Sequence, residues 1–346
     1  MIKKMLAIFL VLLLCVSASF SQDSLKVKSF FKQRDFGKYF IADIQAPICN
    51  ISLGYWTNSI EYNNGKNPSK SKYLPAAEFG LGTELPFLNW SKNLHQLSLS
   101  MPVHFQLWLN ILGDNSAPVL NTDYRVGLEL NYLYQSNKKF LKNIGLKFIP
   151  GMHESCHIGD EITIYRVQEQ FPLTRVNVSY EAMDLALQVN DPKLENKENI
   201  SFKIGAKVLY SPKSGWYSIS TKDGDTTKIS PSKRWIEPYI QIQYQKVKGF
   251  PASKKLMFVA SLDSRLLVKY SYPTYTKENG QLVEHANKEA YAPSLNFLVG
   301  YKYNDLSKFV SKFGFYFRGY YGLNYHGQFR NQNQFSFLGL SFVFEN

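Results

Sequence analysis

Apolar and polar residues alternate with period two over many segments of the chain, each long enough to cross a bilayer as a tilted strand. From Leu97 to Leu109 the odd positions are Leu97, Leu99, Met101, Val103, Phe105, Leu107 and Leu109. Between them lie Ser98, Ser100, Pro102, His104, Gln106 and Trp108, mostly polar. From Asp123 to Tyr132 the apolar set is Tyr124, Val126, Leu128, Leu130 and Tyr132, against Asp123, Arg125, Gly127, Glu129 and Asn131. Such charges are costly in a dry sandwich core and at home in a wet lumen. Similar runs occupy 200–210, 236–244, 257–268, 295–301 and 313–325, and weaker ones lie near 47–57, 76–84, 144–157, 175–187 and 335–344. The pattern predicts about twelve strands.

The links between these runs alternate in length. Long stretches at 58–75, 110–122, 158–174, 211–234 and 269–293 take turns with shorter ones at 85–94, 135–143, 188–199, 246–256 and 302–312, and a short link at 326–334 closes the series. Short turns on one side and long loops on the other are the habit of membrane barrels. The expected fold is therefore all-β: an antiparallel, transmembrane, up-and-down β-barrel of about 12 strands, forming one domain over 47–346. The last strand carries Phe342 and Phe344 close to its end.

The N-terminus adds an address. Lys3 and Lys4 precede an apolar run from Met5 to Val16, and Ser19 and Ser21 supply small residues before Gln22, which reads as a signal peptide over 1–21. The run is too short for a membrane-spanning helix. Residues 22–46 then form an N-terminal periplasmic segment, too short for a separate plug domain. Export and a barrel together place the protein in a bacterial outer membrane.

Composition fits that picture. Phe 25, Tyr 23 and Trp 5 make the chain rich in aromatics, as interfacial girdles require. The formal charge of +13 becomes +11 when Lys3 and Lys4 leave. In an exported protein the anionic neighbours are outer-membrane lipids or lipopolysaccharide, and no nucleic acid. Cys49 and Cys156 fall near opposite ends of the barrel and are expected as free thiols. No phosphate loop, CxxC pair, HExxH or GxSxG occurs, and no cofactor is expected.

Several dispersed pieces carry a family resemblance: Ala77-Glu78-Phe79-Gly80-Leu81-Gly82, Asn121–Leu128, the box His153-Glu154-Ser155-Cys156-His157-Ile158-Gly159-Asp160-Glu161, Arg175–Ala182, and Gly327-Gln328-Phe329-Arg330. On these residues the chain resembles the bacterial outer-membrane family known as domain of unknown function 1207, over most of its mature length. Cys156 stands where that box would carry Ser. The resemblance implies an outer-membrane barrel and attaches no activity to any residue.

The box is the sharpest candidate for chemistry. His153, Ser155 and His157 share one parity, and continuing the alternation from Leu146 and Phe148 directs them into the lumen near the extracellular rim. Three readings compete. Ser155 is a nucleophile with His153 or His157 as base and Asp160 or Glu161 orienting it. Or His157, Asp160 and Glu161 hold a metal ion across the Gly159 turn. Or the box is a polar, hydrogen-bonded part of the lumen wall. Glu78, Glu84, Arg125, Glu129, Arg175, Glu181, Asp263, Arg265 and Arg318 are expected as charge-paired lumen residues, which favours a plugged or narrow interior. His326 and Gln328, on the same rim as the box, are added as binding candidates. The favoured role is a non-catalytic or transport-type envelope function. The alternative is a hydrolase of outer-membrane lipid or lipopolysaccharide using the Ser/His site.

Overall fold

A computed structural model describes residues 39–59, 74–110, 119–136, 138, 141–156, 164–167, 171–174, 178–192, 198–210, 217–220, 226–229, 234–247, 256–278, 281–304, 312–323 and 334–345. Its strands are β1 (Cys49–Ser59), β2 (Leu74–Lys92), β3 (His95–Asn110), β4 (Val119–Gln135), β5 (Asn143–Cys156), β6 (Ile164–Val167), β7 (Phe171–Thr174) and β8 (Val178–Val189). They continue as β9 (Asn199–Tyr210), β10 (Tyr217–Ser220), β11 (Thr226–Ile229), β12 (Arg234–Val247), β13 (Leu256–Glu278), β14 (Gln281–Asn304), β15 (Lys312–Leu323) and β16 (Gln334–Glu345). Twelve of them close into one antiparallel barrel, β1-β16-β15-β14-β13-β12-β9-β8-β5-β4-β3-β2, while β6-β7 and β10-β11 are separate two-stranded hairpins. The expected class and strand number hold.

Alternation explains the wall. Ser98, Ser100, His104 and Gln106 of β3, with Asp123, Arg125, Glu129 and Asn131 of β4, are buried inside. Leu81 and Leu85 of β2, Ile204 of β9, Ile240 of β12 and Phe317 of β15 are exposed outside. The outer surface is a lipid-compatible band, and closure leaves no barrel edge to pair elsewhere.

Two links depart from expectation. The stretch 269–293 is largely strand: β13 and β14 stay paired from Leu256↔Tyr303 to Glu278↔Gln281, with irregularities between Leu267 and Tyr270 and between Tyr272 and Thr274. Pro273 cannot donate to the ladder, and the second irregularity spans it. The Tyr- and Thr-rich sequence favours pairing without the apolar alternation that signals a membrane face. The first short turn is tighter than expected, because β2 continues to Lys92 and the chain reverses at Asn93, whose φ is 53°. The longer turn after β8 is stapled: Asn190, at φ 54°, accepts from the Lys142 amide at 2.8 Å and donates to the Ile200 carbonyl at 3.1 Å.

The segment expected to stand outside the barrel ends inside it. Ile41, Ala42, Ala46 and Ile48 pack with Met257, Val259, Leu298, Tyr316 and Val343, which are inward-facing residues of β13 to β16. The segment's backbone is satisfied by lumen side chains. Ile41 N–H donates to Gln243 at 3.0 Å, Ala42 N–H to Ser261 Oγ at 3.3 Å, and Asn296 donates to the Ala42 carbonyl at 2.6 Å. The segment's own turns take further amides, Asp43 N–H donating to the Phe40 carbonyl and Ala46 N–H to the Asp43 carbonyl, each at 3.0 Å, so the buried backbone finds partners. Gly82 of β2 permits the approach, since a Cβ there would fall 2.1 Å from the carbonyl carbon of Pro47.

Candidate functional site

The lumen is filled by paired charges. Asp43, on the inserted segment, lies 3.3 Å from Lys203 Nζ and 2.8 Å from Arg265 Nη2. Burial alone would raise the Asp43 carboxyl, but Lys203 and Arg265 outweigh it and hold the group well below the ordinary carboxylate range. Arg265 also meets Asp263 and Glu237, each at 2.8 Å. Arg125 lies 3.1 Å from Asp123 and 3.0 Å from Glu154, and donates to the Ile44 carbonyl at 2.9 Å. Lys147 meets Glu129 at 3.3 Å, and Arg318 meets Glu78 at 2.9 Å. Towards the loop end, Trp56 and Trp108 are buried against each other edge to face, with ring centroids 4.7 Å apart. Glu78, Arg125, Glu129, Asp263, Arg265 and Arg318 thus stand as charge-paired lumen residues. Glu84, farther along β2 towards the short turn, accepts from the Tyr39 hydroxyl at 2.6 Å and from Ser100 Oγ.

His153 is not in the lumen. On the side of β4 the pairing jumps from Leu130↔Phe148 to Leu128↔Gly151, and on the side of β8 from Ile149↔Asp184 to Met152↔Ala182. Strand β5 therefore supplies Ile149-Pro150 against Glu129 alone and Pro150-Gly151 against Met183 alone. This is a β-bulge, and an extra residue reverses the parity of everything beyond it. Before it, Ile149 is inward at 4 % exposure; after it, Met152 and Glu154 are inward at 6 % and 0 %. His153 faces outward with 41 % of its side chain exposed, in register with outward Val126 on one side and Glu181 on the other. Pro150 and Gly151 were the visible signal, since a residue lacking N–H beside one lacking Cβ is where a ladder gives way.

Glu181 is corrected with it: it is not a lumen residue. Its outward neighbours on β8 are Leu185 and Leu187, both well exposed, so a carboxylate interrupts a lipid-facing row. His153 Nδ1 and Glu181 Oε1 are 2.8 Å apart. A carboxylate is an acceptor, so Nδ1 carries a proton, and in the neutral imidazole Nε2 is then the nitrogen with the lone pair. That is the tautomer a general base requires. Residues 153 and 155 lie two apart along β5, a span of about 7 Å between Cα atoms. Ser155 is in register with Tyr124 and Ser179.

The other candidate residues of the box, His157, Asp160 and Glu161, lie outside the described residues, as do Arg175, His326 and Gln328. Among the described residues no group of three or more metal-ligating side chains gathers in one place. Cys49 is a free thiol, donating weakly to the Gly82 carbonyl at 3.4 Å.

No family model and no curated protein sequence matches the chain. Among solved structures it is similar to the outer membrane phospholipase A from Escherichia coli, at 14 % identity and a TM-score of 0.41, covering 87 % of this chain and 94 % of that one. It is also similar to the β domain of the Bordetella autotransporter BrkA, at 8 % identity and 0.36, covering 86 % and 98 %. A mutant of the monoaromatic hydrocarbon channel TodX matches at 8 % and 0.36, covering 86 % and 88 %. These likenesses concern barrel architecture and say nothing of chemistry.

Proposed function

We propose that the protein is an outer-membrane serine hydrolase that cleaves an acyl ester of a membrane lipid on the outer wall of its barrel. Ser155 is the nucleophile, His153 the general base and Glu181 the group that orients it. The observation that carries this reading is the 2.8 Å contact between His153 Nδ1 and Glu181 on the lipid-facing side of β5 and β8. An ionisable pair placed towards lipid forgoes the wet lumen and marks a functional site. An inward-facing His153 has no route to a lipid; the bulge turns it to the opposite wall, where acyl chains are at hand.

His153 and Ser155 stand about 7 Å apart along the strand, so the Ser155 proton travels to the imidazole through one bridging water. His153 Nε2 takes the Ser155 proton as the hydroxyl oxygen attacks the ester carbonyl, and returns it to the leaving alkoxide. Water, deprotonated by the same nitrogen, then attacks the acyl-serine carbonyl; the bond to Ser155 oxygen breaks, that oxygen regains the proton, and the fatty acid leaves. The filled lumen supports this reading over a transport role, because the wall is then the surface left for substrate. Placement in the outer membrane is supported by the apolar band, the closed barrel and the resemblance to domain of unknown function 1207.

Purified protein folded into phospholipid or lipid A vesicles should release fatty acid. Ser155→Ala should abolish the release. Wild-type release equalled by Ser155→Ala, or no release from either substrate, overturns the proposal and returns the barrel to a non-catalytic envelope role.

A further inference from the structure

We infer that Glu154 is a positioning residue that selects which wall of the barrel carries His153; the inference rests on the hydrolase reading for its consequence. The bulge at Ile149–Met152 gives the distal part of β5 two ways to pair. As observed, β5 spends one extra residue there, and His153 faces outward. If the distal strand slid by one residue, the bulge would be absorbed and every side chain beyond it would change walls. The slid form is the one plain alternation predicts, with His153 in the wet lumen.

Glu154 opposes that slide. It is fully buried, with Arg125 Nε at 3.0 Å and Lys207 Nζ at 3.6 Å. Arg125 is anchored in turn by Asp123 at 3.1 Å and by the Ile44 carbonyl of the inserted segment at 2.9 Å. Sliding would strip the carboxylate from two buried cations and leave those cations unpaired, a large penalty. Met152 changes walls in the same slide, but a thioether is comfortable against acyl chains, so it offers no comparable resistance. The one strongly charged residue between the proposed base and nucleophile thus sets the side on which they work.

The wall can be read directly. In a background with Cys49 and Cys156 replaced by Ser, a fluorophore is attached at His153→Cys or Met152→Cys, and the protein is folded into brominated phosphatidylcholine vesicles. With Glu154 present, the label at 153 is quenched by lipid and the label at 152 is shielded. With Glu154→Ala the two responses should exchange, and Glu154→Asp, which keeps the charge, should restore the original pattern. In unlabelled protein, Glu154→Ala should abolish fatty-acid release, because the site then faces a lumen that lipid does not enter. Should Glu154→Ala fail to fold, the near-isosteric Glu154→Gln is read in the same way. Lipid quenching that stays at 153 in both variants overturns the inference. A Ser155→Ala protein with unchanged lipid profiles sinks the hydrolase alone, because the quenching pattern is independent of activity.

Discussion

His153 and Glu181 are each a poor choice for a lipid-facing position and a sensible one together, because the carboxylate accepts the Nδ1 proton that would otherwise lack a partner. Losing that acceptor frees the imidazole to rotate or to change tautomer. Glu181→Gln should therefore lower kcat for fatty-acid release about 100-fold. Both groups are substantially exposed, so thermal unfolding should move little. A kcat matching wild type would remove Glu181 from the site. The residue types of this site were legible, since a box holding two histidines and a serine stands out in a strand. Its wall was not, because alternation counts positions and cannot register an extra one. Glu181 was legible in principle: it breaks the outward row it shares with Leu185 and Leu187.

At the level of elements, strands announced themselves wherever one face met lipid and the other water, as in β3 and β4. The signal failed where that contrast disappears. Beyond Val268, Tyr and Thr on both parities resemble a loop although the backbone pairs to Glu278. The inserted segment 39–48 has no alternation because it touches wall on all sides. A trace of it existed: Met257, Val259 and Leu298 are apolar at lumen positions, and an apolar lumen patch needs something to cover it. Gly82 tests that fit, since its missing Cβ is the space that Pro47 occupies. Gly82→Val should push the segment from its seat and lower stability by about 1–3 kcal/mol. The checks are the unfolding midpoint and limited proteolysis, where cleavage near residues 39–48 should rise. Unchanged proteolysis would mean that the segment tolerates the added volume elsewhere.

For the whole molecule, strand number sets the problem that the inserted segment solves. Eight strands enclose an interior that side chains alone can fill, and sixteen to eighteen leave an aqueous channel. Twelve strands fall between, and here the remaining space is taken by the chain's own residues 39–48. Asp43 joins the segment to the wall by pairing with Lys203 and Arg265. Asp43→Asn leaves those buried cations with one anion fewer and should cost about 3 kcal/mol. Because the folded Asp43 carboxyl is held below its ordinary value, its contribution is complete above about pH 4 and is lost only as pH falls through that depressed value. Wild-type protein in a planar bilayer should accordingly stay closed from neutral to mildly acidic pH. Deleting residues 39–46 uncovers a lumen lined by Glu78, Arg125, Glu129, Asp263 and Arg318, and this protein should pass ions in steps that wild type lacks. Asp43→Asn should give brief openings of the same size, since it loosens the segment without removing it. Equal conductance in wild type and the deletion would show that ions already pass beside the segment, and the interior would then be a pore rather than a packed support for the outer wall.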